Sequence, residues 1–118
     1  KLKDQTDCTV NLYDLADHEQ LRQELDSSDI YIDATPCGMH PLEDVVSIPD
    51  PSYLHPGLVV MDTVYAPRQT KLLKWAEQAG CQNFNGLDMM LYQGAAAFKL
   101  WTGKEMPVDF IRDVLFDD

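Results

Sequence analysis

The chain has 118 residues, 45% of them apolar and 25% charged, with a net charge of −11 at pH 7. That length sets one domain at most, and the composition is enough for a hydrophobic core and unlike a disordered chain. The acidic balance argues against nucleic acid or an anionic membrane as partner, since both need a basic patch, but it leaves room for a small anionic ligand held by a few local donors.

Residues 8–13 (Cys8-Thr9-Val10-Asn11-Leu12-Tyr13) are rich in β-formers and predict a first strand. After a turn at 14–17, Leu21 and Leu25 fall four apart among charged residues, which predicts a helix. Asp17 is its expected N-cap, with Gln20 three residues on as in a capping box. Ser27-Ser28-Asp29 breaks the helix, and 30–35 (Ile30-Tyr31-Ile32-Asp33-Ala34-Thr35) reads as the second strand. Residues 36–57 carry Pro36, Pro41, Pro49, Pro51 and Pro56 and predict a long loop. A loop of that length in a compact domain usually serves a function.

The clearest strand is 58–65, whose almost continuous apolar run is that of a central parallel strand covered on both faces. Pro67 ends it. Leu72, Leu73, Ala76 and Ala79 form the apolar stripe of the next helix, with Gly80 as C-cap. Residues 81–84 predict a short strand, closed by Asn85-Gly86. A long helix over 88–101 is capped by Gly103, and a last helix starts near Pro107 with Ile111, Val114 and Leu115 turned inward. The order β-α-β-loop-β-α-β-α-α indicates a parallel α/β sheet.

The three cysteines, Cys8, Cys37 and Cys81, show no metal or disulfide spacing and predict a reducing, cytoplasmic setting. No apolar run approaches the ~20 residues of a membrane span. The start lacks the apolar core of a signal peptide and an initiator Met, as expected of a piece of a longer protein.

In open α/β sheets ligands bind at the carboxyl ends of the strands. That rule singles out Thr35-Pro36-Cys37-Gly38-Met39, Thr63-Val64-Tyr65 and Asn85-Gly86-Leu87-Asp88-Met89 as three segments meeting on one rim. His18, His40 and His55 read as solvent-facing, and Cys37 has no identifiable base. Asp33 and Asp62 lie near the rim with no third ligand for a metal, so no metal site is predicted.

The first rim string, with Pro41-Leu42 after it, resembles the (N/D)AT-x-x-GM loop of the shikimate/quinate dehydrogenase family. Asp62-Thr63-Val64-Tyr65-Ala66-Pro67, with Thr70 and Leu72, resembles its D-x-V-Y-x-P-x-x-T-x-L segment. The string from Asn85 to Ala95 resembles its (D/N)G-x-x-M-L-x-x-Q-x-A helix start, and Trp101-Thr102-Gly103 with the 107–110 tail follows in order. The resemblance covers nearly the whole chain. It implies an α/β fold: residues 1–118 as the carboxyl-terminal part of a Rossmann-type NAD(P)-binding domain, including the helices over 88–116. It also implies that the amino-terminal substrate domain is absent.

The activity so implied is hydride transfer between NAD or NADP and shikimate or quinate. By the same resemblance Thr35, Pro36, Cys37, Gly38 and Met39 line the cofactor. Thr63 lies against the nicotinamide, Gly86 offers its carbonyl to the carboxamide, and Met89 packs beside the ring. Tyr65 and Gln93 reach the substrate. For Gln93, an uncommon residue on an apolar helix, an internal hydrogen bond is the plainer alternative.

Departures from the family bound the expectation. No segment matches the part that carries the family's catalytic Lys and Asp, so no catalytic residue is assigned. No Gly-rich phosphate loop follows a strand, so the partial Rossmann-like sheet lacks its first βαβ. Asp88 stands where the family has a small residue, often Gly. The strand at 8–13 would lie two places from that at 30–35, leaving a gap. The expectation is that the outer strand repacks or that two chains associate, as a homodimer or by strand exchange. The chain alone is then an inert half of a dehydrogenase. The alternative is a non-catalytic acidic α/β binding or interaction module.

Overall fold

The computed structural model describes residues 2–116. Lys1 and the acidic ending Asp117-Asp118, read as a solvated tail, lie outside the described residues. The elements are helix α1 (Leu2–Gln5), α2 (His18–Asp26), strand β1 (Ile30–Asp33), a 3-10 helix (Pro51–Tyr53), β2 (Val59–Asp62), α3 (Lys71–Gln78), β3 (Gln82–Phe84), α4 (Leu87–Thr102) and α5 (Val108–Phe116). The strands form one parallel sheet in the order β1-β2-β3. β2 is central, as its apolar run predicts, and Asp33 and Asp62 stand side by side at the last rung of β1 and β2.

Local chemistry sets most of the boundaries. Asp17 Oδ1 accepts the Gln20 amide at 3.1 Å. Gln20 does not complete the capping box, because its side chain donates to Glu24 instead. Thr70 Oγ1 caps α3 by accepting the Leu73 amide. Gly103, at φ +70°, ends α4 in the left-handed conformation that favours glycine. Pro107 precedes α5, and its carbonyl accepts the Ile111 amide at 3.0 Å.

The core lies on one face of the sheet. Leu58 and Val60 are fully buried there, against Leu72, Leu73 and Ala76 of α3 and Leu25 of α2. The 36–57 loop does the work of a crossover helix, laying Ile48, Tyr53 and Leu54 into the same cluster. His55 is not solvent-facing: its ring bonds the Leu25 carbonyl at 3.1 Å and its own carbonyl accepts the Cys81 thiol.

The opposite face is open. Ile30 and Ile32 are 61% and 57% exposed and Phe84 is 50% exposed, with Val59 and Met61 half-buried between them. β2 is therefore covered on one face and not on both. The expected strand at 8–13 does not form. Those residues take no regular structure, are almost wholly exposed and join no ladder. A β-prone segment needs a neighbour, and this one pairs with no strand of the sheet. The free edge of β1 is neither repacked nor covered by it.

Val114 and Leu115 are also exposed, at 59% and 64%, so α5 does not turn them inward. The radius of gyration is 16.7 Å, against about 13.5 Å for a compact domain of this length. The accessible surface is 8229 Å², where a compact monomer of this mass would expose about 6,500 Å².

Candidate functional site

The first rim loop leaves β1 at Asp33, and the second leaves β2 at Asp62. Both carboxylates are buried, 3% and 1% exposed. Asp33 Oδ1 accepts the Thr35 amide at 2.8 Å and its hydroxyl at 2.6 Å. Asp33 Oδ2 accepts the Tyr31 hydroxyl at 2.9 Å and the Ser47 hydroxyl. Asp62 Oδ1 accepts the Val64 amide at 2.9 Å, and Oδ2 accepts the Thr70 hydroxyl at 2.6 Å.

The two environments push these carboxyls apart. Burial alone would raise Asp33, but the Ser47 and Thr35 hydroxyls, the Thr35 amide and the Tyr31 hydroxyl overcome it and hold the group below the usual carboxylate range. Asp62 is raised: burial dominates, the Thr70 hydroxyl and Val64 amide offset only part of it, and the charge of Asp33 adds to it. Tyr31 is raised as well, first by burial.

The loops enclose a mostly apolar cleft of about 180 Å³ lined by Thr35, Met39, Thr63, Val64, Tyr65 and Ala66. Of the predicted rim residues, Thr35, Met39, Thr63 and Tyr65 thus come together. Val64, within the second rim segment, and Ala66, which only the motif string pointed to, line the cleft too. Pro36 is exposed and Cys37 half-buried on the same loop. Gly38, at φ +87°, is buried against Thr70, where a Cβ would sit 3.1 Å from that side chain.

The third rim segment hangs on the second. The Gly86 amide donates to the Val64 carbonyl at 3.0 Å, and Asn85 Nδ2 donates to the Arg68 carbonyl at 3.1 Å. A Cβ on Gly86 would lie 1.8 Å from the Thr63 carbonyl oxygen, so only glycine fits. The Gly86 carbonyl accepts the Met90 amide in the first turn of α4. Met89 and Gln93 follow on α4, both exposed and outside the cleft's lining. Asp88 pairs with Arg112 of α5, tying the start of α4 to the last helix.

A larger hollow, about 430 Å³, lies beside α1, but none of its lining residues comes from the sheet. Among the described residues no three His, Cys, Asp or Glu side chains group as metal ligands, and no helix is long and apolar enough to cross a membrane.

Residues 86–116 match the shikimate 5'-dehydrogenase C-terminal domain family. The shikimate dehydrogenase (NADP(+)) of Streptococcus uberis is 54% identical over the whole chain and 40% of its own length. The quinate/shikimate dehydrogenase of Escherichia coli is 45% identical over 98% of this chain and 40% of its own length.

Over nearly its whole length the chain is similar to part of the shikimate and quinate/shikimate dehydrogenases.

A crystal structure of a family member, shikimate 5-dehydrogenase from Listeria monocytogenes in complex with shikimate and NAD, superimposes with a TM-score of 0.90 at 51% identity. It covers 98% of this chain and 40% of that one. The chain therefore spans about two fifths of the length of the family members it matches. The parallel sheet with flanking helices is the family's fold in this part.

Proposed function

We propose that this chain forms the nicotinamide-side half of the NAD(P)-binding domain of a shikimate/quinate dehydrogenase. The whole enzyme would transfer a hydride between NAD or NADP and shikimate or quinate. The observation that carries this is the rim cleft, built from the family's strings on a sheet that superimposes on a relative solved with shikimate and NAD.

The cleft's size fits half a site. At about 180 Å³ it falls below the roughly 300–1,000 Å³ of a complete ligand pocket, and it is apolar, as a planar ring requires. Gly38 and Gly86 let the loops behind the cleft pack closely, the first against Thr70 and the second against the Thr63 carbonyl. Nothing in the chain supplies a Gly-rich phosphate loop.

The nicotinamide, when bound, accepts or returns a hydride at one ring carbon. The chain's part is to bind and orient. Thr35, Pro36, Cys37, Gly38 and Met39 form one wall along the cofactor, and Thr63 forms the floor against the ring. Gly86 offers the second lone pair of its carbonyl to the carboxamide, and Met89 excludes water from the ring edge. Tyr65, 41% exposed at the cleft mouth, and Gln93 face the acid. The proton released from the substrate hydroxyl goes to a base outside this chain, so the chain alone is inert.

The test is a chimera of this chain with the amino-terminal portion of the Listeria relative, assayed by reduced-nicotinamide absorbance with shikimate and quinate, NAD and NADP. Turnover by the chimera and none by either part alone is expected. A well-folded chimera without turnover, where the parent relative turns over, would refute the reading.

A further inference from the structure

We propose that Asp33 and Asp62 are positioning residues: two buried carboxylates that staple the rim loops shut at their bases and so set the walls of the cleft. The inference rests on reading that cleft as the nicotinamide site.

The same device occurs twice, on one rung of the sheet. Each Asp is the last residue of its strand. Each gives one oxygen to the amide two residues on, Thr35 or Val64. Each gives the other oxygen to a hydroxyl further along the chain: Ser47, fourteen residues away, or Thr70, eight away. A strand-end carboxylate in water needs no such partners. One buried at 1–3% exposure does, because an unpaired buried charge is costly.

All six residues lining the cleft lie within these two closed loops. Neither carboxylate is itself among them. The staples are also joined to each other, since Gly38 of the first loop rests on Thr70, the anchor of the second. Loosening one base therefore moves both walls. A ligand site held this way is ordered before the ligand arrives, which spares the ordering cost on binding.

The test uses the 118-residue chain with Thr70→Val, Ser47→Ala and Thr70→Ser, none of which lines the cleft. Two readouts are taken by NMR: amide exchange at Gly38 and Gly86, and titration with nicotinamide mononucleotide. Thr70→Val and Ser47→Ala are expected to speed exchange at these amides and to weaken binding about tenfold, the factor by which the ordered cleft is depopulated. Exchange along the β2–β3 ladder should stay unchanged. Thr70→Ser, which keeps the hydroxyl, should restore both readouts.

Ser47→Ala leaves the α3 cap intact, so loss of that helix cannot mimic the result. Wild-type binding that survives both disruptive substitutions overturns the positioning role alone. A wild-type chain blind to the nucleotide overturns the site reading and the positioning role together.

Discussion

Gly86→Ala should be the most damaging single-methyl change in the chain. The added Cβ would lie 1.8 Å from the Thr63 carbonyl oxygen, 2.4 Å from its carbon and 3.0 Å from Thr63 Cα. All three atoms are backbone at the end of the central strand, so no side chain can swing aside. Relief requires a shift of more than about 1 Å to reach ordinary contact distance. That shift breaks the 3.0 Å bond from the Gly86 amide to the Val64 carbonyl. Overpacking costs about 1–3 kcal/mol, and an unmade buried hydrogen bond about 1–3 kcal/mol more. Together they give about 3 kcal/mol, which lowers Tm by about 12 °C for a domain of this size.

Urea unfolding and thermal melts followed by circular dichroism measure this directly. Gly94→Ala is the control. It lies mid-way along α4 with nothing within 4 Å of a new Cβ, so it should stabilise by about 0.5–1 kcal/mol. A Gly86→Ala chain melting within about 2 °C of wild type, or a Gly94→Ala chain falling as far as Gly86→Ala, would refute the reasoning.

The Asp33 carboxyl, held low in the folded chain, contributes stability that is present above its unfolded pKa and fades as pH falls through the folded value. The gap in Tm between wild type and Asp33→Asn should therefore be wider at about pH 7 than at about pH 3; an equal gap at both would contradict the low value. Arg112→Ala breaks the pair with Asp88, whose side chains are 32% and 64% exposed. It should cost no more than about 1 kcal/mol and less in high salt, so a larger or salt-insensitive loss would show that the link between α4 and α5 is more than a surface pair.

The central strand, the N-cap of α2, the C-cap of α4 and the rim segments were legible because each is set by neighbours close in sequence. Asp17 and Gly103 act within their own turn, and the nearly continuous apolar run along 58–65 reports β2 directly. Apart from the capping box, where the Gln20 side chain turns to Glu24 in its own helix, the failures are tertiary. The strand expected at 8–13 has the right residues but no neighbour to bond. The inward turn expected of Val114 and Leu115 supposes a surface that the described residues do not supply. His55 looked like a loop residue, since nothing local announces that Leu25, thirty residues earlier, will offer it a carbonyl.

At the site, Thr35, Met39, Thr63 and Tyr65 were found from topology and motif together. Asp33 and Asp62 were weighed only as metal ligands. Their use became visible once Ser47 and Thr70 were seen to close on them. The signal was present in the recurrence of Asp at a strand end with a hydroxyl residue fourteen or eight positions on, but it has meaning only when the loops are folded back.

Those two closures are short. They span fourteen and eight residues, and loop-closure entropy grows only slowly with length. β1 and β2, which carry them, are also consecutive along the chain. The cleft is thus written in one continuous stretch, roughly residues 30–70, and local contacts of this kind form early in folding. Such a stretch behaves as a cassette: its shape travels with its own sequence, and a related sheet that received it whole would receive its binding walls as well.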